Sequence, residues 1–329
     1  MACSAVRHVV TLEKIMKLSI IVPCYNSMPI LETMVGETIQ VVKQIPQIDA
    51  MEFVLVNDCS PNPATLGFLK KITDEYDCVK LINMAKNSGQ ANEQVAALHY
   101  VTGDIVLNMD DDMQTHPKNI PLLFNKLMEG YDLVLGRYPH KRHAWYRRVL
   151  TKMDDKFEDF FLGKPHDLSF TSYWMTWRYI TDEIIKYTAP YSFMEGLFLR
   201  TAGHIANVDV EHFERTEGKS GYNLKKLVKL WSNFTGFTVK PLRIAGVCGL
   251  VLFLISIVWI IVLIVQKARG QLLPGYASLM CVMLLFFGIV LIGMGIIGEY
   301  VGRIFMAVNG TPQFVVREIY DPHQVGEKK

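Results

Sequence analysis

Apolar and polar positions along the first two-thirds of the chain predict strands and helices that follow one another. Short β-branched runs, each ending in polar or turn-forming residues, are typical of buried strands. The predicted strands are Leu18–Cys24, Glu52–Val56, Val79–Asn83, Asp104–Met109, Leu133–Gly136 and His204–Phe213. Segments with apolar residues at helical spacing lie between the first five strands, at residues 30–44, 65–76, 90–101 and 121–129. This alternation predicts an α/β fold with a parallel or mostly parallel sheet and flanking helices.

The last third of the chain has a different pattern. Residues 242–266 and 277–298 form two almost continuous apolar runs, each longer than the roughly 20 residues that cross a bilayer core. We therefore predict a transmembrane hairpin of two helices. Basic residues are denser outside the hairpin than in its connection, so the positive-inside rule predicts a multi-pass protein of the inner cell membrane with both termini cytoplasmic. The alternative is a pair of buried helices in a soluble protein.

These patterns divide the chain into four predicted parts. They are an N-terminal extension (1–15), a cytoplasmic domain (16–240), the transmembrane hairpin (241–300) and a cytoplasmic C-terminal tail (301–329). Several glycines in the second apolar run are typical of close helix contact, either within the hairpin or between protomers of a homo-oligomer.

Composition narrows the possible partners only a little. Half of the residues are hydrophobic, and the excess lies in the predicted hairpin. The net charge of +2 indicates no particular partner, and we expect no nucleic acid among the partners. The six cysteines form no CxxC pair, so we expect reduced thiols and no structural zinc.

Three consecutive aspartates, Asp110, Asp111 and Asp112, directly follow a predicted strand. Like charges repel at such a position, and a divalent cation with a diphosphate would neutralise them. In an extended backbone, Asp110 and Asp112 would face one site and Asp111 would point away. Mg²⁺ or Mn²⁺ suits such oxygen ligands. A solvated acidic turn is the alternative interpretation of so short a pattern.

A further acidic residue, Asp58, follows another predicted strand. In mostly parallel sheets, ligands bind outside the carboxyl ends of the strands. Asp58 and the aspartate cluster both lie at such ends, so we expect them to face one site from different strands. The sequence therefore favours a ligand site at this edge over an isolated acidic turn.

Seven segments, taken together, carry a family resemblance. They are SIIVPCYN, FVLVNDCSPN, NSGQANEQVAAL, GDIVLNMDDDMQTHP, VLGRY, HFERTEGKSGYNLKKL and PLRIAGVCG. The chain resembles the family 2 glycosyltransferases of the GT-A (Rossmann-like) fold. Within them it resembles the polyprenyl-phosphate glycosyltransferases, the group that includes dolichyl-phosphate mannose synthase and bacterial undecaprenyl-phosphate glucosyltransferases. The resemblance implies transfer of a sugar from a nucleotide-sugar, here a UDP-hexose, to undecaprenyl phosphate at the cytoplasmic membrane face.

The resemblance also implies roles for residues on the donor side. Pro23, Tyr25 and Asn26 would line the base and ribose of the nucleotide, with Asp58 on the same side. Asp110 and Asp112 would hold the ribose and the metal-bound diphosphate, and Gln114 would add to the metal ligands. The chain departs from the family pattern at Ser27, where Glu is usual, and at Asp111, where a small residue is usual.

On the acceptor side, the resemblance implies that Arg137 and Arg147, with Arg148 and Thr151, grip the lipid phosphate. The forked guanidinium group suits a phosphate monoester. The alternative is a solvated basic face near anionic lipid.

A third group matches the family's lid loop over the donor diphosphate: Arg215, Lys219 and Ser220. A cation there would stabilise the leaving group. The alternative is a plain surface loop.

The expected mechanism needs no general base, because a lipid phosphate is already an anionic nucleophile near neutral pH. Positioning and electrostatics would lower the barrier, and the displacement would invert the anomeric centre. Two other functions stay open. One is a processive polysaccharide synthase, which would need more membrane helices and a QxxRW stretch. The other is a non-catalytic membrane scaffold that retains a nucleotide-sugar-binding fold.

Overall fold

The computed structural model describes residues 15–27, 29–138, 163–211, 238–269 and 275–323. These residues belong to two compact units. The sheet unit contains the described residues up to 138, residues 164–211 and residues 310–323. The hairpin unit contains residues 238–269 and 275–309.

One mixed sheet of eight strands forms the frame of the sheet unit. The strands are β1 (Met16–Cys24), β2 (Ile48–Asn57), β3 (Val79–Met84), β4 (Ile105–Asn108), β5 (Leu133–Arg137), β6 (Trp174–Trp177), β7 (Ile205–Asp209) and β8 (Val316–Tyr320). Their order across the sheet is β7-β5-β6-β4-β1-β2-β3-β8. The central strands β4, β1, β2 and β3 are parallel, as the alternating pattern predicts. The predicted α/β fold is confirmed.

The described residues of the sheet unit form six α-helices beside the strands. They are α1 (Ile30–Val42), α2 (Pro63–Glu75), α3 (Gln90–Leu98), α4 (Ile120–Met128), α5 (Arg178–Ile184) and α6 (Met194–Thr201), with a short 3₁₀ turn at Pro117–Asn119. Helix α2 begins as its sequence favours, since the Asn62 side chain accepts a hydrogen bond from the Ala64 amide at 3.0 Å and Pro63 occupies the first turn. Helix α3 follows Gly89, whose φ of 83° suits glycine.

The core lies along the central strands. Strand β1 is buried almost throughout, which is typical of a strand covered on both faces. Leu18, Ile20 and Phe53 are among the side chains with no exposed surface. This rigid centre fixes the carboxyl ends of four neighbouring strands, where the polar loops described below begin.

Two strands were not predicted from the sequence. Strand β6 lies antiparallel between β4 and β5, in a stretch for which the sequence predicts no strand. Strand β8 lies antiparallel beside β3, in the segment predicted as a tail. The chain therefore returns to the sheet after the hairpin.

The hairpin unit consists of α7 (Lys240–Ala268) and α8 (Tyr276–Val308), which contain the two predicted spans. Both helices are long and apolar enough to cross a membrane. Their large apolar side chains are exposed, as Trp259 and Leu291 show, which is not the pattern of a core helix in a soluble protein. The Tyr300 hydroxyl donates to the Thr238 carbonyl oxygen at 2.7 Å, so the end of α8 is linked to the residues before α7.

Candidate active site

Loops at the carboxyl ends of the central strands share an unusual backbone feature. Among the described residues, the non-glycine residues with positive φ are Asn26 (55°), Cys59 (53°) and Met113 (60°). They follow β1, β2 and β4 respectively. Left-handed conformations cost free energy in non-glycine residues, and they cluster at functional sites. The fold thus concentrates backbone strain at one edge of the sheet.

The loop after β4 carries Asp110, which is half-buried. Its Oδ1 accepts a hydrogen bond from Gln90 Nε2 at 3.2 Å, and its Oδ2 accepts one from the Ser172 hydroxyl. The Asp110 amide donates to Thr115 Oγ1 at 3.0 Å. Helix α3, the segment before β6 and the loop itself therefore all hold this carboxylate in place.

Asp112 and Gln114 lie two and four residues further along. Asp112 Oδ1 accepts from the Gln114 amide at 3.1 Å, which is a local turn that uses a single lone pair of the carboxylate. Asp112 therefore lies in the same short loop as Asp110, at the carboxyl end of β4.

Asp111 does not point away from the neighbouring loops, as an extended backbone would require. Its Oδ2 accepts from the Ser27 hydroxyl at 2.5 Å, across 84 residues of sequence. The prediction that Asp111 points away is wrong because the backbone does not stay extended. Asp111 and Asp112 form a turn and Met113 is left-handed, so the alternation of side chains ends at Asp110. The two positions where the chain departs from the family pattern, Ser27 and Asp111, are thus bonded to each other.

Asp58, after β2, is 2% exposed. Its Oδ1 accepts from the Ser88 amide at 2.7 Å, and its Oδ2 accepts from the Gly89 amide at 2.8 Å. Asp58 therefore holds the loop that starts α3 at the same edge of the sheet. A contact between Asp58 and the nucleoside stays a prediction.

Three residues at the end of β1 were predicted to line the nucleotide. Pro23 is buried within the strand, whereas Tyr25 and Asn26 are exposed at the edge. The Asn26 amide donates to Ser60 Oγ at 3.0 Å, and Asn26 Oδ1 accepts from the Asn62 amide at 3.4 Å. The loops after β1 and β2 therefore support each other and leave the Tyr25 ring accessible.

Sequence reasoning missed one carboxyl group at this edge, Glu93 on α3. It is 2% exposed, and its Oε1 accepts from the Cys24 amide at 2.6 Å. Burial raises the pKa of Glu93 well above its ordinary value, and the negative charges of Asp58, Asp111 and Asp110 raise it further. Glu93 lies in the first turns of the helix predicted at residues 90–101, just after the loop that follows β3, and that position is the signal that could have revealed it.

Tyr138, after β5, is a second group that was not predicted. Burial raises the pKa of its phenol, and the charges of Asp110 and Asp112 raise it further. The phenol therefore stays protonated beside the two carboxylates. Just before Tyr138, strand β5 packs closely against the Tyr173 side chain. A Cβ atom added to Gly136 would lie only 2.9 Å from the Tyr173 ring.

Arg137 is exposed at the end of β5, where its Nε donates to Asp209 Oδ1 at 2.6 Å. This bond raises the pKa of the guanidinium group. The remaining predicted basic and lid residues lie outside the described residues: Arg147, Arg148, Thr151, Arg215, Lys219 and Ser220.

The donor set at this edge suits a hard cation that also binds a diphosphate. Such a cation keeps several waters and needs only one or two protein carboxylates, and the carboxylates of Asp110 and Asp112 lie in one loop at this edge. In the part of the chain that the structure describes, no three His, Cys, Asp or Glu residues form a complete metal cage. The residues therefore fit a shared site in which the substrate contributes ligands.

Comparison with known protein families identifies two family models that match this chain. The one described as glycosyl transferase family 2 matches residues 19–186, about half of the chain. The one described as GtrB C-terminal hairpin matches residues 240–304.

Similar curated proteins match along almost the entire length. An undecaprenyl-phosphate 4-deoxy-4-formamido-L-arabinose transferase of Proteus mirabilis is 29% identical, with 97% of each chain covered. The protein of the same name from Serratia proteamaculans is 28% identical, covering 93% of this chain and 95% of the relative. Among solved structures, glucosyl-3-phosphoglycerate synthase from Mycobacterium tuberculosis matches with 14% identity and a TM-score of 0.49, covering 67% of this chain and 79% of that one.

Proposed function

Because this chain belongs to glycosyl transferase family 2, in its polyprenyl-phosphate group, we propose that it transfers a sugar from a nucleotide-sugar to undecaprenyl phosphate at the cytoplasmic membrane face. Membership confirms the predicted GT-A fold and glycosyltransferase activity. The observation that carries the proposal is the full-length match to undecaprenyl-phosphate sugar transferases. The acidic edge of the sheet agrees with this proposal.

The donor is proposed to be a UDP-sugar bound at the carboxyl ends of β1, β2 and β4. The exposed Tyr25 and Asn26 would contact the base and ribose, with Asp58 holding the adjoining loop. Pro23 would shape this pocket from within β1. The sequence favours a UDP-hexose, and the names of the relatives add a formamido-arabinose to the candidates.

Asp110, Asp112 and Gln114 would hold Mg²⁺ or Mn²⁺ together with the donor diphosphate. When bound, such a cation neutralises the leaving nucleoside diphosphate. Asp110 is already oriented for this role by Gln90 and Ser172, so little reorganisation is needed when the donor binds.

In the proposed reaction, an acceptor phosphate oxygen attacks the anomeric carbon while the bond from that carbon to the diphosphate oxygen breaks. The nucleophile is already anionic, so the chain needs no proton acceptor, and the anomeric centre inverts. Arg137 and Arg147 would align the acceptor phosphate, and Asp209 would orient the Arg137 guanidinium group through Nε. Arg215, Lys219 and Ser220 would close over the diphosphate.

The hairpin is proposed to anchor the enzyme beside its lipid acceptor. Strands β7 and β8 precede and follow the hairpin and belong to one sheet, which supports a hairpin whose two ends emerge on the same side of the membrane. The distribution of basic residues favours the cytoplasmic side. A homo-oligomer through α7 and α8 remains part of the proposal.

The test is a transfer assay with the purified full-length protein in nanodiscs that contain undecaprenyl phosphate. The donor panel comprises UDP- and GDP-hexoses and UDP-4-deoxy-4-formamido-L-arabinose, each with Mg²⁺, Mn²⁺ or EDTA. We expect one lipid-phosphate sugar with inverted configuration by NMR, and no product in EDTA.

Other outcomes would contradict the proposal. A polymeric product would indicate a processive synthase. Donor binding without transfer to any acceptor, by protein with a cooperative unfolding transition, would indicate a scaffold. A product with retained anomeric configuration would exclude the single-displacement mechanism.

A further inference from the structure

The segment after α8 is fixed to the sheet unit rather than trailing from the hairpin. Strand β8 pairs with β3 from Leu81↔Tyr320 to Met84↔Val316. Lys70 Nζ also contacts Glu318 Oε1 at 2.8 Å. Residues just before β8 therefore have defined neighbours in the same unit as the candidate active site.

Gln313 makes two hydrogen bonds with one amide group. Its Nε2 donates to the carbonyl oxygens of Tyr187 at 2.8 Å and Ala189 at 2.7 Å. An amide nitrogen carries two hydrogens, so both bonds form at once. Gln313 thereby fixes residues 187–192, which we call the 187–192 turn.

Asn92, in the first turn of α3, holds the same turn through different atoms. Its Nδ2 donates to the Pro190 carbonyl oxygen at 3.1 Å, and its Oδ1 accepts from the Ser192 amide at 3.1 Å. Asn92 is only 7% exposed, and its Nδ2 also donates to the Ser88 carbonyl oxygen at 3.2 Å. Loss of the contacts with the turn would therefore remove two of the hydrogen bonds of a buried amide group. The 187–192 turn thus connects Gln313 to α3.

The first turn of α3 belongs to the candidate active site. Gln90 donates to Asp110, and Glu93 accepts from the Cys24 amide. At the other end of the helix, the His99 ring contacts the Phe314 ring, with centroids 5.5 Å apart. Neighbouring residues of the C-terminal segment therefore support both ends of α3.

We propose that Gln313 is a positioning residue for the donor site. Through the 187–192 turn and Asn92, it sets where the first turn of α3 presents Gln90 to Asp110. The proposal rests on the proposed function for the nature of the donor. It makes the segment that follows the membrane hairpin a working part of donor and cation binding.

The test compares Gln313→Met with Glu318→Gln in the full-length protein. Methionine preserves the size of the side chain and removes both donated bonds. Glu318→Gln removes the ion pair with Lys70 in the same segment and leaves the 187–192 turn intact. We expect Gln313→Met to raise the donor KM and the half-saturating cation concentration about five- to tenfold, the range expected for losing one or two hydrogen bonds. The KM for undecaprenyl phosphate should stay within twofold of wild type.

Amide hydrogen exchange supplies a readout that needs no substrate. Gln313→Met should exchange faster than wild type in peptides covering residues 86–93 and 187–192, and Glu318→Gln should not. Unchanged exchange in Gln313→Met, or an equal rise of the donor KM in both variants, would overturn the proposal. Failure of the wild-type protein to transfer any sugar would count against the proposed function alone, because the exchange comparison would still decide the role of Gln313.

Discussion

Two buried glutamates, at opposite ends of the central strands, have opposite electrostatic surroundings. Glu52 lies on the amino-end side, where Oε1 accepts from Ser19 Oγ and the Thr102 amide, both at 2.5 Å. Its Oε2 contacts Lys17 Nζ at 3.1 Å and Lys80 Nζ at 3.2 Å. Burial alone would raise the pKa of Glu52, but these hydrogen bonds and the Lys80 charge outweigh it and lower the pKa to about 2.

Glu93, on the carboxyl-end side, accepts a bond from the Cys24 amide, and three aspartates lie near enough to raise its pKa. The fold compensates the carboxylate at one end with its own cations. At the other end it accumulates negative charge beside strained loops. The polar network around Glu52 therefore serves folding. The carboxylates around Glu93 instead form a negatively charged region that suits a cation and a diphosphate donor.

The largest expected effect comes from Asp110→Asn and Asp112→Asn. Each should lower kcat/KM for transfer by about 10²–10³-fold, because a preorganised electrostatic contact is removed. The Tm should stay the same or rise, because a negative charge leaves a repulsive cluster. Transfer kinetics and thermal unfolding check both parts, with the exposed Asp49→Asn as the control. A large fall in Tm would mean that the aspartates stabilise the fold, as Glu52 does, and would contradict the distinction between the two ends of the strands.

Glu52→Ala should have the reverse effect. Removing one partner of a buried ion pair costs about 3 kcal/mol, so the Tm should fall by several degrees, while transfer per folded molecule should not change. The folded pKa lies below the ordinary 4.5, so this stabilisation is complete above about pH 4.5 and disappears as the pH falls towards 2. Unfolding curves of both proteins between pH 3 and 7 should therefore converge at the acid end. If the difference in Tm between the two proteins stayed constant over this pH range, the ionised Glu52 carboxylate would not be the source of the stabilisation.

Glu93→Gln should act in the opposite direction with pH. The folded wild type keeps a proton above pH 4.5 that the unfolded chain releases, so its stability falls as the pH rises towards the raised pKa. Glutamine can still accept from the Cys24 amide and cannot ionise. The variant should therefore gain stability over wild type as the pH rises from 5 to 8, which thermal unfolding in matched buffers measures. If the stability of both proteins changed equally with pH, the pKa of Glu93 would not be raised in the folded state.

Ser172→Ala should produce the smallest change. Asp110 loses one donated bond and keeps that from Gln90, so the half-saturating cation concentration should rise about threefold to tenfold. A cation titration of transfer measures this, with Ser172→Thr as the variant that retains a hydroxyl. If alanine and threonine behave alike, the hydroxyl does not orient Asp110.

The central fold was predictable because its strands have strong local signals. The β-branched runs that became β1 to β4 are buried at the centre of the sheet and pair in parallel with one another. Strands β6 and β8 lack this advantage. Strand β6 is four residues long, WMTW, and β8 pairs with β3 across more than two hundred residues. The sequence around these two strands gives no signal of the strands with which they pair.

The site was predictable in position but not in bonding. Asp58, Asp110 and Asp112 do lie at the carboxyl ends of β2 and β4, the two strands that flank β1, because strand ends are visible in the sequence. The partners of Asp58, the turn of Asp111 towards Ser27 and the burial of Glu93 depend on loops that meet only in the fold. The turn at Asp111 and Asp112, followed by the left-handed Met113, ends the alternation that the aspartate run suggests.

Strand β8 makes the hairpin an insertion within the sheet rather than an appendage at its end. A protease that cuts once between β7 and α7 leaves β8 covalently joined to α8 and still paired with β3. Release of the sheet from the membrane would then require a second cut or the separation of β8. Expression of the chain without its C-terminal segment would accordingly expose the edge of β3 and invite aggregation.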